Sequence, residues 1–116
     1  MDRQKIGIRN RTKGLNLERE MAQRFRESGW PKAMTSRAGD RSLDANKLDL
    51  LYTSPINVQC KCHNSFKTPI PVLKEMPQDE NYNVELLRVK NKGDFAIMSA
   101  DDFFEMIELL KTEKIF

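Results

Sequence analysis

Four polar residues with apolar neighbours are the side chains of this sequence best suited to chemistry. Glu18 falls within the apolar stripe of a predicted helix, and Asp49 interrupts the run Leu48–Leu51. Gln59 and Lys61 alternate with apolar residues in a predicted strand. Carboxylate and amide oxygens are the ligands that hard divalent cations such as Mg²⁺ prefer. A nearby lysine supplies the positive charge that stabilises a reacting phosphoryl group, so the set is suited to phosphodiester hydrolysis.

The predicted elements can bring these side chains together. Alternation along the strand Ile56–Cys62 places Gln59 and Lys61 on one face, about 7 Å apart. If the preceding strand pairs with it as a hairpin, Asp49 lies on the same surface. We expect the first helix to pack on that surface by its apolar stripe and to deliver Glu18 to the same place.

Each residue also has a simpler explanation. Glu18 can form a buried ion pair with one of the arginines, because buried charges are paired or coordinate metals. Gln59 and Lys61 can form the solvated face of a half-exposed strand. Asp44 can add negative charge to a metal site, although a loop-capping role fits it better.

The composition limits the classes of protein to consider. The chain has 116 residues, 39% of them hydrophobic and 32% charged, which is typical of one globular domain. No apolar run approaches the roughly 20 residues needed to span a bilayer, and the N-terminus lacks the apolar segment of a signal peptide. Cys60, Cys62 and the only histidine, His63, are too few for a structural zinc site, which needs four ligands. We therefore expect no membrane. Cys60 and Cys62 are one residue apart and would point the same way on a strand, which suits a disulfide poorly, so we also expect a reducing, cytoplasmic location.

Positive charge is concentrated in the first half of the chain. Residues 1–50 contain 12 Lys and Arg against 7 Asp and Glu, whereas residues 51–116 contain 8 against 10. Residues 1–13 predict a basic arm for a polyanionic partner, with a solvated, frayed terminus as the alternative. The predicted phosphate contacts are Arg3, Lys5, Arg9, Arg11 and Lys13 of the arm and Arg37, Arg41 and Lys67 of loops near the site.

The order of the predicted elements is α-β-β-β-α-β-β-α. The helices are expected over 15–28, 69–76 and from 100 onward, and the strands over 33–37, 47–52, 56–62, 82–89 and 94–98. This order predicts an α/β domain over 14–116, with one mixed central β-sheet flanked by helices.

The motifs around the four residues resemble a known family. Glu18 after Lys13-Gly14, Asp49 in Leu48-Asp49-Leu50 and the run Val58-Gln59-Cys60-Lys61 resemble the E…D…(E/Q)-x-K signature of the PD-(D/E)xK nucleases. The polar loop 36–46 is similar to that of the archaeal-type Holliday junction resolvases, where Ser36 is a loose match. The segments 73–77 and 97–103 resemble small phage-encoded members of that branch. The resemblance covers about residues 13–110.

The resemblance implies a restriction-endonuclease-like fold, a homodimer and a four-way DNA junction as substrate, in the host cytoplasm if the chain is phage-encoded. It also implies dependence on Mg²⁺, with Mn²⁺ as a substitute, held by Glu18, Asp49 and Gln59 while Lys61 assists catalysis. Gln59 departs from the usual glutamate and removes one negative charge from the metal site. Two alternatives remain: a nuclease of the same fold that acts on nicks or repair intermediates, and a DNA-binding module whose catalytic site has decayed.

Overall fold

A computed structural model of the chain describes residues 3–39 and 48–116, with side chains from residue 9 onward. The helices are α1 (Arg3–Glu27), α2 (Ile70–Glu75) and α3 (Ala100–Thr112), and the strands are β1 (Met34–Thr35), β2 (Leu50–Leu51), β3 (Ile56–His63), β4 (Tyr82–Val89) and β5 (Gly93–Ile97). The element order predicted from the sequence is confirmed. Arg41 and Asp44 lie outside the described residues, as do the side chains of Arg3 and Lys5.

Helix α1 is longer than expected. It begins at Arg3, so the basic segment predicted as an arm belongs from that residue onward to the helix. Arg, Lys and Gln favour helix, and a single glycine such as Gly14 costs only about 1 kcal/mol, which does not end a helix. The helix ends where Gly29 adopts a left-handed conformation, with φ of 116°.

The strands form two sheets, where the sequence predicted one. Strand β3 pairs in parallel with β4 over their full length, and β5 pairs antiparallel on the outer side of β4. Strands β1 and β2 form a separate antiparallel pair. The two sheets are joined by a hydrogen bond in which the Asp49 N–H donates to the Val58 carbonyl, at 2.9 Å. The result is a mixed α/β domain.

The core forms between α1 and one face of β3. Leu17, Met21 and Ala22 lie at helical spacing on α1 and are buried against Val58 and Cys60. This corrects the expected packing, because α1 covers the Cys60 face of β3 and not the face that carries Gln59 and Lys61. The apolar alternation of β3 fixes this choice, since only the Cys60 face offers an apolar surface to the helix.

Ion pairs connect α1 to β4 and β5. The Arg88 guanidinium on β4 contacts the Glu20 carboxylate of α1 and, at 2.7 Å, the Asp94 carboxylate of β5. These hydrogen bonds raise the pKa of Arg88, and they lower the pKa of Asp94. The contacts link three elements on the side of the sheet that packs against α1.

Helix α3 packs only loosely on the rest of the chain. Its N-terminus is capped by the Ser99 hydroxyl, which accepts from the Asp102 N–H at 3.1 Å. No residue of the helix is fully buried, and Phe103, Phe104 and Leu109 are exposed. Among the described residues, no helix is long and apolar enough to cross a membrane.

Candidate functional site

Asp49 is held at the junction between the two sheets. Its carboxylate oxygen Oδ2 accepts a hydrogen bond from the Cys60 backbone N–H at 2.7 Å. Its own N–H donates to Val58, and its carbonyl accepts from the Ser36 N–H at 2.9 Å. In an antiparallel ladder, a carbonyl of the partner strand would take the Cys60 donor. The Asp49 side chain takes that place here, and β2 and β3 belong to different sheets.

Gln59 and Lys61 occupy the same face of β3, as the alternation predicted. Gln59 is only 7% exposed, and its oxygen Oε1 has no hydrogen-bond partner. Lys61 is half-buried. The burial of Gln59 overturns the alternative of a solvated strand face at that position. The Asp49 carboxylate lies beside this segment, because it accepts a hydrogen bond from the N–H of Cys60, the residue between Gln59 and Lys61.

Glu18 is buried on α1 and pairs with an arginine. Its oxygen Oε2 lies 3.2 Å from the Arg37 Nε, and the Arg37 side chain is largely exposed. The structure thus contains the ion pair that the sequence offered as the simpler explanation of Glu18. It also places Arg37, a predicted phosphate contact, directly beside the predicted catalytic glutamate.

The four predicted residues are divided by the plane of β3. Glu18 and Asp49 both act electrostatically on Cys60, whose thiol lies on the α1 side. Burial is the largest cause of the raised pKa of Cys60, and the charges of Asp49 and Glu18 add to it. Gln59 and Lys61 point to the opposite side. Asp49 contacts the edge of β3 through the Cys60 N–H, so it is the residue of the set that lies next to both sides of the strand.

A buried acid that the sequence analysis missed lies next to Gln59. Glu85 on β4 is in register with Gln59, is 1% exposed and has no hydrogen-bond partner at Oε2. Desolvation raises the pKa of Glu85, and the positive charge of Lys61 partly opposes that shift. The signal was present in the run Val84–Leu87, where Glu85 interrupts apolar residues as Asp49 does.

The donor chemistry suits a hard cation, although the site is not a cluster of acidic ligands. In the described part of the chain, no group of three or more His, Cys, Asp or Glu side chains is placed to hold a metal ion. The predicted set contains two carboxylates, so its third oxygen donor is the amide of Gln59. The unpartnered Oε1 of Gln59 is the feature that a bound cation would satisfy.

A groove with several basic side chains runs past the C-terminal ends of β3 and β4. One cleft of about 420 Å³ is lined by Lys13, His63 and Lys67, and an adjoining cleft shares Lys13 and His63 and extends to Lys90. We call the surface formed by these four residues the basic groove. Burial and the positive charges of Lys67 and Lys61 lower the pKa of His63. The positive charge of the basic groove at neutral pH therefore comes from its lysines.

The remaining predicted phosphate contacts lie on the first turns of α1. Arg9 and Arg11 are exposed there, and they precede Lys13 of the basic groove along the same helix. Ser36 is buried, and its backbone N–H donates to the Asp49 carbonyl.

Comparison with known proteins gives no match: neither a protein-family model, nor a curated protein, nor a solved structure is similar enough to this chain to be matched.

The environment of Cys60 predicts a difference in thiol reactivity. The thiolate is the reactive form, and burial together with two nearby carboxylates disfavours it at Cys60. At pH 8, the Cys62→Ala protein should react with iodoacetamide at least about tenfold more slowly than the Cys60→Ala protein, measured by mass spectrometry. Both should react at similar rates in denaturant. Equal rates in the folded proteins would contradict the described environment.

Proposed function

We propose that the chain is a metal-dependent endonuclease with a restriction-endonuclease-like fold, which hydrolyses phosphodiester bonds in four-way DNA junctions. The observation that carries the proposal is the Asp49 carboxylate, fixed beside the Gln59–Lys61 segment by the Cys60 N–H. The junction as substrate rests on the resemblance of the motifs. The free Cys60 and Cys62 support a reducing, cytoplasmic location, that of the host if the chain is phage-encoded.

Mg²⁺, or Mn²⁺ in its place, would be held by oxygens of Asp49 and Gln59. Glu18, which the resemblance of the motifs also assigns to the metal, lies on the α1 side of β3 and pairs with Arg37, so it would act on the ion through its charge and not as a shared direct ligand with Gln59. When bound, the ion would polarise the phosphoryl group and lower the pKa of a water molecule. Asp49 is suited to the role because backbone contacts on both sides fix its position. The unpartnered oxygen of Gln59 supports the assignment, since a buried acceptor is costly to leave unsatisfied.

Lys61 would act on the phosphoryl group undergoing hydrolysis. It lies on the same face as Gln59, two residues further along β3. Half-burial lowers the effective dielectric around its ammonium and so strengthens its attraction for charge that develops in the transition state. Lys61 would also orient the attacking water.

The basic groove and the exposed arginines of α1 would bind DNA phosphates. Lys13 joins the two, because it lies on α1 and also lines the groove beside His63 and Lys67. The groove begins at the C-terminal end of β3, the strand that carries Gln59 and Lys61. A DNA strand in the groove would therefore approach the candidate catalytic residues.

The proposed substrate also requires a second copy of the chain. A four-way junction is resolved by two symmetric cuts, and a two-fold dimer presents two sites at once. The exposed Phe103 and Phe104 of α3, whose rings are in edge-to-face contact, would supply an apolar surface for such a contact. Strand β4 lies between β3 and β5, so both of its edges are paired within the sheet.

Asp49→Asn tests the metal-dependent reaction. The substitution keeps the size of the side chain and removes its charge, so it should abolish both cleavage and any Mg²⁺-dependent rise in Tm. Cleavage is measured on a synthetic four-way junction and on a linear duplex of the same sequence. Asp101→Asn, on the exposed surface of α3, is the matched control and should cleave normally.

The outcomes separate the candidate functions. Cleavage of the junction well above the duplex supports a resolvase, and equal cleavage of both indicates a nuclease with another DNA substrate. Binding of the junction without cleavage by the unaltered protein would indicate a DNA-binding module with a decayed site. Cleavage by the Asp49→Asn protein would eliminate the assigned site.

The basic groove predicts a salt-dependent contribution to DNA affinity. Replacing both Lys13 and Lys67 by alanine should reduce the slope of log affinity against log salt concentration by about 2. Lys111→Ala combined with Lys114→Ala removes the same charge from the exposed C-terminal region and should leave the slope unchanged. An equal effect of the two double variants would show that DNA does not occupy the groove.

The dimer proposal predicts a mass in solution twice that of the chain. Sedimentation equilibrium at micromolar concentration, with and without junction DNA, measures it. Phe104→Asp should shift the mass toward the monomer because it places a charge in an apolar contact. Glu108→Asp, on the same helix, keeps the charge of the side chain and should leave the mass unchanged. A strict monomer with and without DNA would contradict the resolvase assignment and leave the nuclease assignment intact.

A further inference from the structure

Two buried residues in register on neighbouring strands each carry an oxygen without a hydrogen-bond partner. These oxygens are Oε1 of Gln59 on β3 and Oε2 of Glu85 on β4. The two residues are register partners in the parallel pair, so their side chains point to the same face of strands about 4.8 Å apart. Their exposed fractions are 7% and 1%.

A buried carboxylate is retained in proteins when it is paired or binds a cation. Lys61 is near enough to influence Glu85 electrostatically, but the ion pairs of the described residues do not include one between them. An amide oxygen and a carboxylate oxygen are both acceptors, so neither can satisfy the other unless Glu85 is protonated. Two arrangements satisfy both groups: a protonated Glu85 that donates its O–H to Gln59, or a cation bound by both oxygens. Measurement of cation binding distinguishes them.

We propose that Gln59 and Glu85 together bind a divalent cation, with Glu85 supplying the negative charge that the nuclease signature usually places at position 59. This inference rests on the proposed function and adds Glu85 to its metal-binding residues. Compared with the usual signature, the carboxylate lies on the neighbouring strand, and its side chain lies on the same face of the sheet.

The register also explains the amide at position 59. A glutamate there would place two carboxylates on adjacent positions of neighbouring strands, where like charges repel. With Gln59, the pair carries one negative charge and offers two oxygen types that Mg²⁺ and Mn²⁺ accept.

The test measures Mn²⁺ binding to the full chain by calorimetry and by electron paramagnetic resonance, without DNA and without a cleavage readout. Glu85→Gln keeps the shape of the side chain and imitates a protonated acid. If Glu85 is a ligand, this variant should bind Mn²⁺ at least about tenfold more weakly. Glu108→Gln, on the exposed face of α3, is the matched control and should bind as the unaltered protein does.

A charge exchange makes the test specific. The double variant Gln59→Glu/Glu85→Gln restores one carboxylate and one amide to the pair with their places exchanged, and it should recover most of the lost affinity. Thermal denaturation without metal establishes that each variant is folded. Recovery by the exchange would also show that any loss in Glu85→Gln does not arise from misfolding.

The other results overturn the inference. Unchanged affinity of Glu85→Gln, with binding lost in Asp49→Asn, would show a metal site that excludes Glu85 and would leave the proposed function standing. Loss in Glu85→Gln without recovery in the exchanged variant would assign Glu85 a structural role. If the unaltered protein does not bind Mn²⁺ at all, both the inference and the metal-dependent function fail.

Discussion

The hydrogen bond from the Cys60 N–H to the Asp49 carboxylate is the contact on which the candidate site depends. A charge-assisted hydrogen bond, here of 2.7 Å, is stronger than one between two neutral backbone groups. It lies at the junction of the two sheets, beside the hydrogen bond from the Asp49 N–H to the Val58 carbonyl. It also fixes an acidic group beside the most polar part of β3. The Asp49 side chain therefore belongs both to the junction of the sheets and to the candidate site.

The two faces of β3 explain how one strand serves both the core and the chemistry. Val58 and Cys60 pack under α1, and this packing holds the strand in place. Gln59 and Lys61 are turned the other way, where Glu85 adds a buried charge. Burial raises the free energy of every unpartnered polar group on that face, so the face favours ligands that satisfy those groups. A packed apolar side that holds the strand, and a polar side whose buried groups lack hydrogen-bond partners, are properties expected of a binding site.

Local patterns predicted the elements well because they depend on near neighbours. Strand β4 has the predicted limits Tyr82–Val89, and the last helix begins at Ala100 as expected. The face of β3 covered by α1 was predicted wrongly, because helix and strand periodicities show which residues are apolar but not which surfaces meet. Glu85 was missed for a related reason. Its importance arises from its register with Gln59, and parallel pairing across the intervening residues 64–81 cannot be deduced from either strand alone.

The central claim is that Lys61 acts on the phosphoryl group in the transition state, and single-turnover cleavage of a four-way junction by Lys61→Ala measures this most directly. With Mg²⁺ and saturating protein, the cleavage rate constant should fall by about 100-fold, the scale for loss of one charge-stabilising group. Junction affinity, measured in Ca²⁺, should change by less than about twofold, because one lysine among many basic groups contributes little to overall binding. Equal losses of rate and affinity, or a rate unchanged by the substitution, would contradict the assignment of this site.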